Sequence, residues 1–211
     1  KDQQPLVMSS FLIPAGSTGY EQTIKNSRFI SHIAHAPSPH AAHTFITHIR
    51  QEYPDARHVC WAFVAGKPKQ TTEVSCSDDG EPAGTAGKPM LNVLLHSEIG
   101  ELVAVVVRYF GGIKLGTGGL VRAYSSSVTA ALKQTPTCLK VARQGFILIA
   151  PYALEDSIRR LLNDLNGELA SVEYAAELQI NGFCPISAQT QLQQALADLG
   201  RGQIVVEFLR E

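Results

Sequence analysis

Hydrophobic positions along this chain carry two textures, which meet near residue 142. In the first, short β-branched and aromatic runs are interleaved with helical stripes. Residues 19–24 and 28–35 read as two strands joined by a turn at Lys25, Asn26 and Ser27. Beyond Pro37 and Pro39 the spacing predicts a helix to about Tyr53. It places Ala42, Phe45, Ile46, Ile49 and Tyr53 on one face and His40, His43 and His48 on the other. A strand is expected at 58–65, a turn at 66–69 and a partner strand at 73–77. Residues 77–89 form a glycine-rich loop that opens a helix; Pro89 suits its first turn, and Met90, Val93 and Leu94 its buried side. Residues 102–107 are a continuous apolar run of strand length. Arg108 and Tyr109 break it, a second glycine-rich loop follows, and Leu120, Tyr124, Val128 and Ala131 recur at helical spacing to about Gln134. A last strand is expected at 137–142.

The second texture is tighter. A strand at 146–150 leads to a helix at 152–165, whose stripe is Leu154, Ile158, Leu161, Leu162 and Leu165. After a turn at Asn166 and Gly167 come a hairpin of strands at 168–174 and 177–181, a helix at 185–199 and a strand at 203–209. The order βαββαβ within fewer than about 70 residues is the ferredoxin-like split βαβ arrangement. The pattern predicts an α+β protein of two domains, 8–142 and 143–211, joined by a short linker around 141–144. Residues 1–7 are expected to be a remnant of expression, with Met8 as the native start.

A chain of 211 residues accommodates two such domains. No apolar run approaches the ~20 residues of a membrane span, and the N-terminus lacks a basic-then-apolar signal; no membrane contact is expected. The four cysteines (Cys60, Cys76, Cys138, Cys184) have no CxxC spacing, which points to reduced thiols in the cytoplasm. A net charge of −1 conceals an asymmetry: residues 1–142 hold 13 basic and 10 acidic side chains, and residues 143–211 hold 5 and 9. Nucleic-acid contact, if any, is expected on the first domain.

The candidate chemistry lies in the two glycine-rich loops. Gly111, Gly112, Gly116, Gly118 and Gly119 fall within nine residues. Gly111 and Gly116 have phosphate-loop spacing, but Thr117 stands where that motif needs Lys, and Val121 stands at the third glycine of the dinucleotide fingerprint. What remains is general physics: helix-start amides beside Lys88, Arg108, Lys114 and Arg122 favour an anion. Tyr109 is the candidate for stacking on a base, whereas Tyr124 shares the helix's apolar stripe. Asp78, Asp79 and Glu81 form an acidic cluster. They can hold a divalent cation or act as acid and base, pair with Arg108 and Arg122 if the loops meet, or shape a turn. No catalytic residue is assigned: Ser125, Ser126 and Ser127 fall inside a helix, and Cys60 and Cys76 sit in apolar strands where thiols are inert. No cofactor or metal is expected.

At 77–91 (SDDGEPAGTAGKPML) and 105–125 (VVVRYFGGIKLGTGGLVRAYS) the chain resembles the IMPACT family, on the side of its bacterial YigZ-like members. The likeness extends from FLIP at 11–14 and SRFI at 27–30 through PDARH at 54–58. It implies an N-terminal ribosomal-protein-S5 domain 2-like domain and a C-terminal ferredoxin-like domain similar to the last domain of elongation factor G. Eukaryotic members are implicated in translational control, through protein contacts that restrain an initiation-factor-2α kinase pathway. They carry in addition an RWD domain, which these 211 residues do not include.

The expected function is a non-enzymatic cytoplasmic factor linked to translation regulation, binding RNA or another polyanion through the two loops. Its partner would be RNA, a ribosome-associated component or a protein. The alternatives are a phosphate-handling or metal-dependent enzyme on a small phosphorylated ligand, and a module that binds proteins only.

Overall fold

The computed structural model describes residues 10–209 and divides into two compact units, one from Phe11 to Lys140 and one from Val141 onward. The expected remnant at 1–7 lies outside the described residues.

In the first unit, β1 (Phe11–Pro14) precedes a hairpin of β2 (Thr18–Ile24) and β3 (Ser27–His35). The hairpin turn has two residues rather than three: Lys25 and Asn26 take φ of 45° and 62°, the left-handed pair of a tight turn matched to strand twist. Ser27 is already strand. α1 (Pro39–Glu52) starts behind Ser38, whose Oγ accepts from the Ala41 N–H at 3.2 Å. Then come β4 (His58–Val64), β5 (Val74–Ser77), α2 (Gly87–His96), β6 (Leu102–Tyr109), α3 (Thr117–Gln134) and β7 (Thr137–Lys140).

Five strands pair antiparallel in the order β2-β3-β6-β4-β5, which puts β6 at the centre. Its alternate side chains serve two cores. Leu102, Ala104 and Val106 meet Met90 and Leu94 of α2 and Leu120, Tyr124 and Val128 of α3. Val103, Val105 and Val107 meet Ala42, Ile46 and Ile49 of α1 on the other face. Cover on both faces is the reason the run is unbroken although the sheet is antiparallel. The strand runs on past the apolar run through Arg108 to its end at Tyr109, and these two residues pair with Phe29 and Arg28 of β3. β1, for which the pattern predicted no strand, pairs with β7 in a separate two-stranded ribbon. The buried carboxylate of Glu101 ties that ribbon to the sheet, accepting from Lys140 Nζ and, at 2.8 Å, from His35 Nε2.

The second unit contains β8 (Arg143–Ala150), α4 (Glu155–Asp164), β9 (Glu168–Tyr174), β10 (Leu178–Pro185), α5 (Gln189–Gly200) and β11 (Val205–Phe208). Its antiparallel strand order, β11-β8-β10-β9, is the ferredoxin-like order. Ile158, Leu162, Leu192 and Leu196 of the two helices pack on Phe146, Leu148 and Ile180 of the sheet. The chain is thus α+β, with an S5 domain 2-like first unit and a ferredoxin-like second. Among the described residues no helix is long and apolar enough to cross a membrane.

Candidate polyanion-binding site

Both glycine-rich loops lie at the same end of the five-stranded sheet, and a buried polar network joins them. Arg108 on β6 is 6% exposed, so its charge requires a partner inside the protein. That partner is Glu81, whose Oε1 accepts from Arg108 Nη1 at 2.7 Å and from the Tyr124 hydroxyl at 2.7 Å. Arg108 Nη2 reaches Ser27 Oγ at 3.4 Å, and the same oxygen accepts from the Gly111 N–H at 3.2 Å. Cys60 Sγ donates to the Asp78 carbonyl at 2.9 Å and lies 3.3 Å from the Tyr124 oxygen; burial drives its thiol pKa far up, so it stays protonated. One network therefore connects the first loop (Asp78, Glu81), the second (Gly111) and α3 (Tyr124).

The two loops differ at their helix ends. Asp78 caps α2 from outside the helix: Oδ1 accepts from the Ala86 and Gly87 N–H groups at 2.9 and 2.8 Å, and Oδ2 from Gly84 at 2.7 Å. Burial opposes ionisation of Asp78, but the three amides together with Lys88 outweigh it and hold its pKa below the ordinary 3.8. The N-terminus of α2 thus contains its own anion. Asp79 is equally engaged, with Oδ2 on the Val59 N–H at 2.8 Å and Oδ1 on Arg50 Nη2 at 2.9 Å. Of the three expected roles for the acidic cluster, the geometry is that of structural pairing, with Arg108 and Arg50 as the arginine partners. Among the described residues no three His, Cys, Asp or Glu side chains gather to hold a metal ion.

At α3 no side chain caps the helix. Gly111 packs its backbone on the β2–β3 turn so closely that a Cβ would stand 2.0 Å from the Asn26 carbonyl carbon. Gly116, at φ 74°, takes the left-handed conformation that turns the chain into the helix. Gly112 is exposed in the loop, whereas Gly118 and Gly119, expected there, form the first helical turn with Thr117. Lys114 and Arg122 are exposed nearby in sequence.

Between α2 and α3 runs an open groove of about 750 Å³. Lys88, His96 and Lys133 stand along it, Ser125 and Thr129 supply hydroxyls, and Val93, Val121 and Leu132 form its apolar part. Arg122 and Lys133 line the adjoining depression on α3. Neither helix, 10 and 18 residues long, contains a single Asp or Glu. No Asp or Glu lines the groove itself, whose lysines are Lys88 and Lys133, and phosphates are the groups it suits.

Comparison with known proteins gives this surface its family setting. Residues 25–132 match the Impact N-terminal domain, and residues 148–203 match DUF1949, a domain of unknown function. The chain is 43% identical over 204 residues to the IMPACT family member YigZ of Escherichia coli strain K12, covering 97% of this chain and 100% of that one. The chain belongs to the IMPACT family. An IMPACT family member of Haemophilus influenzae is also 43% identical, over 96% of this chain and 98% of its own length. A crystal structure of a hypothetical protein, 43% identical, superimposes with a TM-score of 0.75 over 97% of this chain and 99% of that one. The groove, the two loops and the buried network of this IMPACT protein all lie within or beside the Impact N-terminal domain match.

The structure sorts the sequence-based site residues. Lys88 and Arg122 are brought to the α2–α3 surface, and Lys114 is exposed on the loop before α3. Arg108 is not an exposed phosphate contact, because its guanidinium is buried on Glu81. Tyr109 is also committed: its hydroxyl donates to Asp55 Oδ1 at 2.8 Å and the Arg28 guanidinium lies 5.6 Å from its ring centre. Phe110, 56% exposed, is the open aromatic face. Lys133 and His96 also line the groove and were not among the sequence-based candidates; the lack of any acidic residue in their helices was the signal that pointed to them.

Proposed function

We propose that this IMPACT protein is a non-enzymatic cytoplasmic factor linked to translation regulation that binds RNA or another polyanion along α2 and α3. Lys88, Arg122 and Lys133 contact phosphates, and Lys114 with the uncapped amides of α3 extends the track at its end. The observation that carries this reading is the pair of carboxylate-free helices facing an open groove, next to an acidic cluster whose members are all bound elsewhere. The latter point also weighs against the enzymatic alternative, which needs Asp78 or Asp79 free for a metal or a proton.

Fluorescence anisotropy of a single-stranded RNA over a range of salt tests it. Affinity is expected to fall steeply with salt, and the variant Lys88→Ala/Arg122→Ala/Lys133→Ala to flatten the log–log slope by about 2, at roughly 0.7 per phosphate contact on a single strand. Equal slopes for variant and wild type would remove the groove from the interface.

A further inference from the structure

A second cleft, of about 410 Å³, opens where β4 begins and β6 ends, walled by Asp55, Arg57, His58, Arg108, Tyr109 and Phe110. Strand register brings the wall together: His58 and Arg108 are partners across β4 and β6, Asp55 and Arg57 lead into β4, and Phe110 follows β6. The proposed groove uses none of its open side chains.

Each wall residue presents a defined group. Phe110 is 56% exposed, with the Arg108 guanidinium 5.7 Å from its ring centre. His58 Nδ1 lies 3.0 Å from the Asp79 carbonyl oxygen. A carbonyl only accepts, so Nδ1 carries the proton, and in the uncharged tautomer Nε2 is the acceptor that faces a ligand. The Tyr109 hydroxyl takes Asp55 Oδ1 at 2.8 Å, which leaves Oδ2 as a further acceptor and fixes the carboxylate. Arg57 is exposed and joins no ion pair among the described residues. Arg108 Nε is one of three buried side-chain polar atoms without a hydrogen-bond partner among the described residues; it faces the interior, and the cleft's open cation is Arg57.

One exposed aromatic face, two fixed acceptors and a free guanidinium within one small cleft match a single nucleotide. We infer that the cleft takes an unstacked nucleotide: its base stacks on Phe110 and donates to Asp55 and His58, and its phosphate pairs with Arg57. The nucleotide is either one unit of a single strand or a free mononucleotide. In the strand form the inference rests on the reading of the α2–α3 groove and adds the base side of the same ligand; in the free form it stands alone.

The test uses the full chain with two phosphorylated probes, 5′-AMP and a short oligoadenylate, and adenosine as the unphosphorylated control, and follows the His58 ring resonances by NMR together with affinity. Both probes are expected to shift His58. Phe110→Ala is expected to weaken binding about tenfold or more, the scale of one lost base stack, and Phe110→Tyr to retain it. Arg57→Ala is expected to weaken the phosphorylated probe and leave adenosine unchanged. Phe110 and Arg57 are exposed, so both variants should keep the wild-type unfolding midpoint. A shift with oligoadenylate alone assigns the site to strands; a shift with AMP as well assigns it to nucleotides in general. Wild-type affinity in Phe110→Ala, or an unmoved His58 with both probes, overturns the inference. If Lys88→Ala/Arg122→Ala/Lys133→Ala abolishes oligoadenylate binding while Phe110→Ala does not, the groove stands and the cleft falls. If AMP binds through Phe110 and no strand binds, the cleft stands and the groove falls.

Discussion

At the scale of single residues, the Glu81–Arg108 pair is the point on which the two loops depend. Both side chains are more than nine-tenths buried, so removing one partner strands a charge in the interior, at a cost of about 3–5 kcal/mol. Glu81→Leu and Arg108→Met are each expected to lower the urea unfolding free energy by about that amount. The double variant Glu81→Leu/Arg108→Met should recover much of it, since no charge is then left buried. Full additivity in that double-mutant cycle would show that the two groups do not interact. Thiol chemistry offers a second reading at this scale. Cys60 and Cys184 are buried and Cys138 is exposed, so native protein should react with a thiol reagent first at Cys138, and at Cys60 only on unfolding. The inertness of Cys60 was legible from its apolar strand. The commitment of Arg108 was not, because a lone arginine after a valine run looks the same whether its carboxylate lies 27 residues upstream or nowhere. Pairing across that separation depends on how the loops fold back over the sheet.

Elements show the same division between local and long-range information. Periodicity located the helices and most strands because each buries one face or, for β6, both. It missed β1, since FLIP is too short to show a period and its partner β7 lies more than a hundred residues away. It assigned Gly118 and Gly119 to a loop on composition, although α3 begins at Thr117; neighbouring turns and packing override a glycine's weak local preference. The fit of loop to hairpin is most sensitive at Gly111, where a Cβ would sit 2.0 Å from the Asn26 carbonyl carbon and 2.5 Å from the Ser27 nitrogen. Backbone cannot yield as a side-chain tip does, so Gly111→Ala is expected to cost about 1–3 kcal/mol or more in urea titration. Gly112→Ala meets no atom within 4 Å, yet its φ of 86° makes it strained too. A Gly111→Ala variant as stable as the wild type would show that the loop is free to move off the turn. The candidate groove was half legible. Lys88 and Arg122 stood out beside glycines, whereas Lys133 lies more than four turns along an ordinary-looking helix and gains meaning only when α2 is seen beside it.

For the molecule as a whole, His32 and Asp78 act in separate windows of its acid response. His32 on β3 lies 5.5 Å from the Tyr53 ring, with its Nε2 buried and unpartnered. Burial lowers its pKa below the usual 6.5, with Glu52 opposing and His48 reinforcing the shift. The unfolded chain therefore takes up a proton at this residue before the folded protein does. Its contribution to stability is whole above pH 6.5 and declines as the pH falls from there to the lower folded value. Asp78 acts in a lower window, since its folded pKa lies below 3.8: its contribution is whole above that value and is lost as the pH falls through the folded one. Urea midpoints of the wild type should thus drop first below about pH 6.5 and again below about pH 4. His32→Phe keeps a ring against Tyr53 while removing the titration, and is expected to flatten the upper drop and leave the lower one. Asp78→Asn should do the reverse, and should also lower stability at pH 7 by about 1–3 kcal/mol through weakened capping of α2. Because the two residues lie on different elements and share no partner, their effects should add. An upper drop unchanged in His32→Phe would place the pH sensitivity on another histidine.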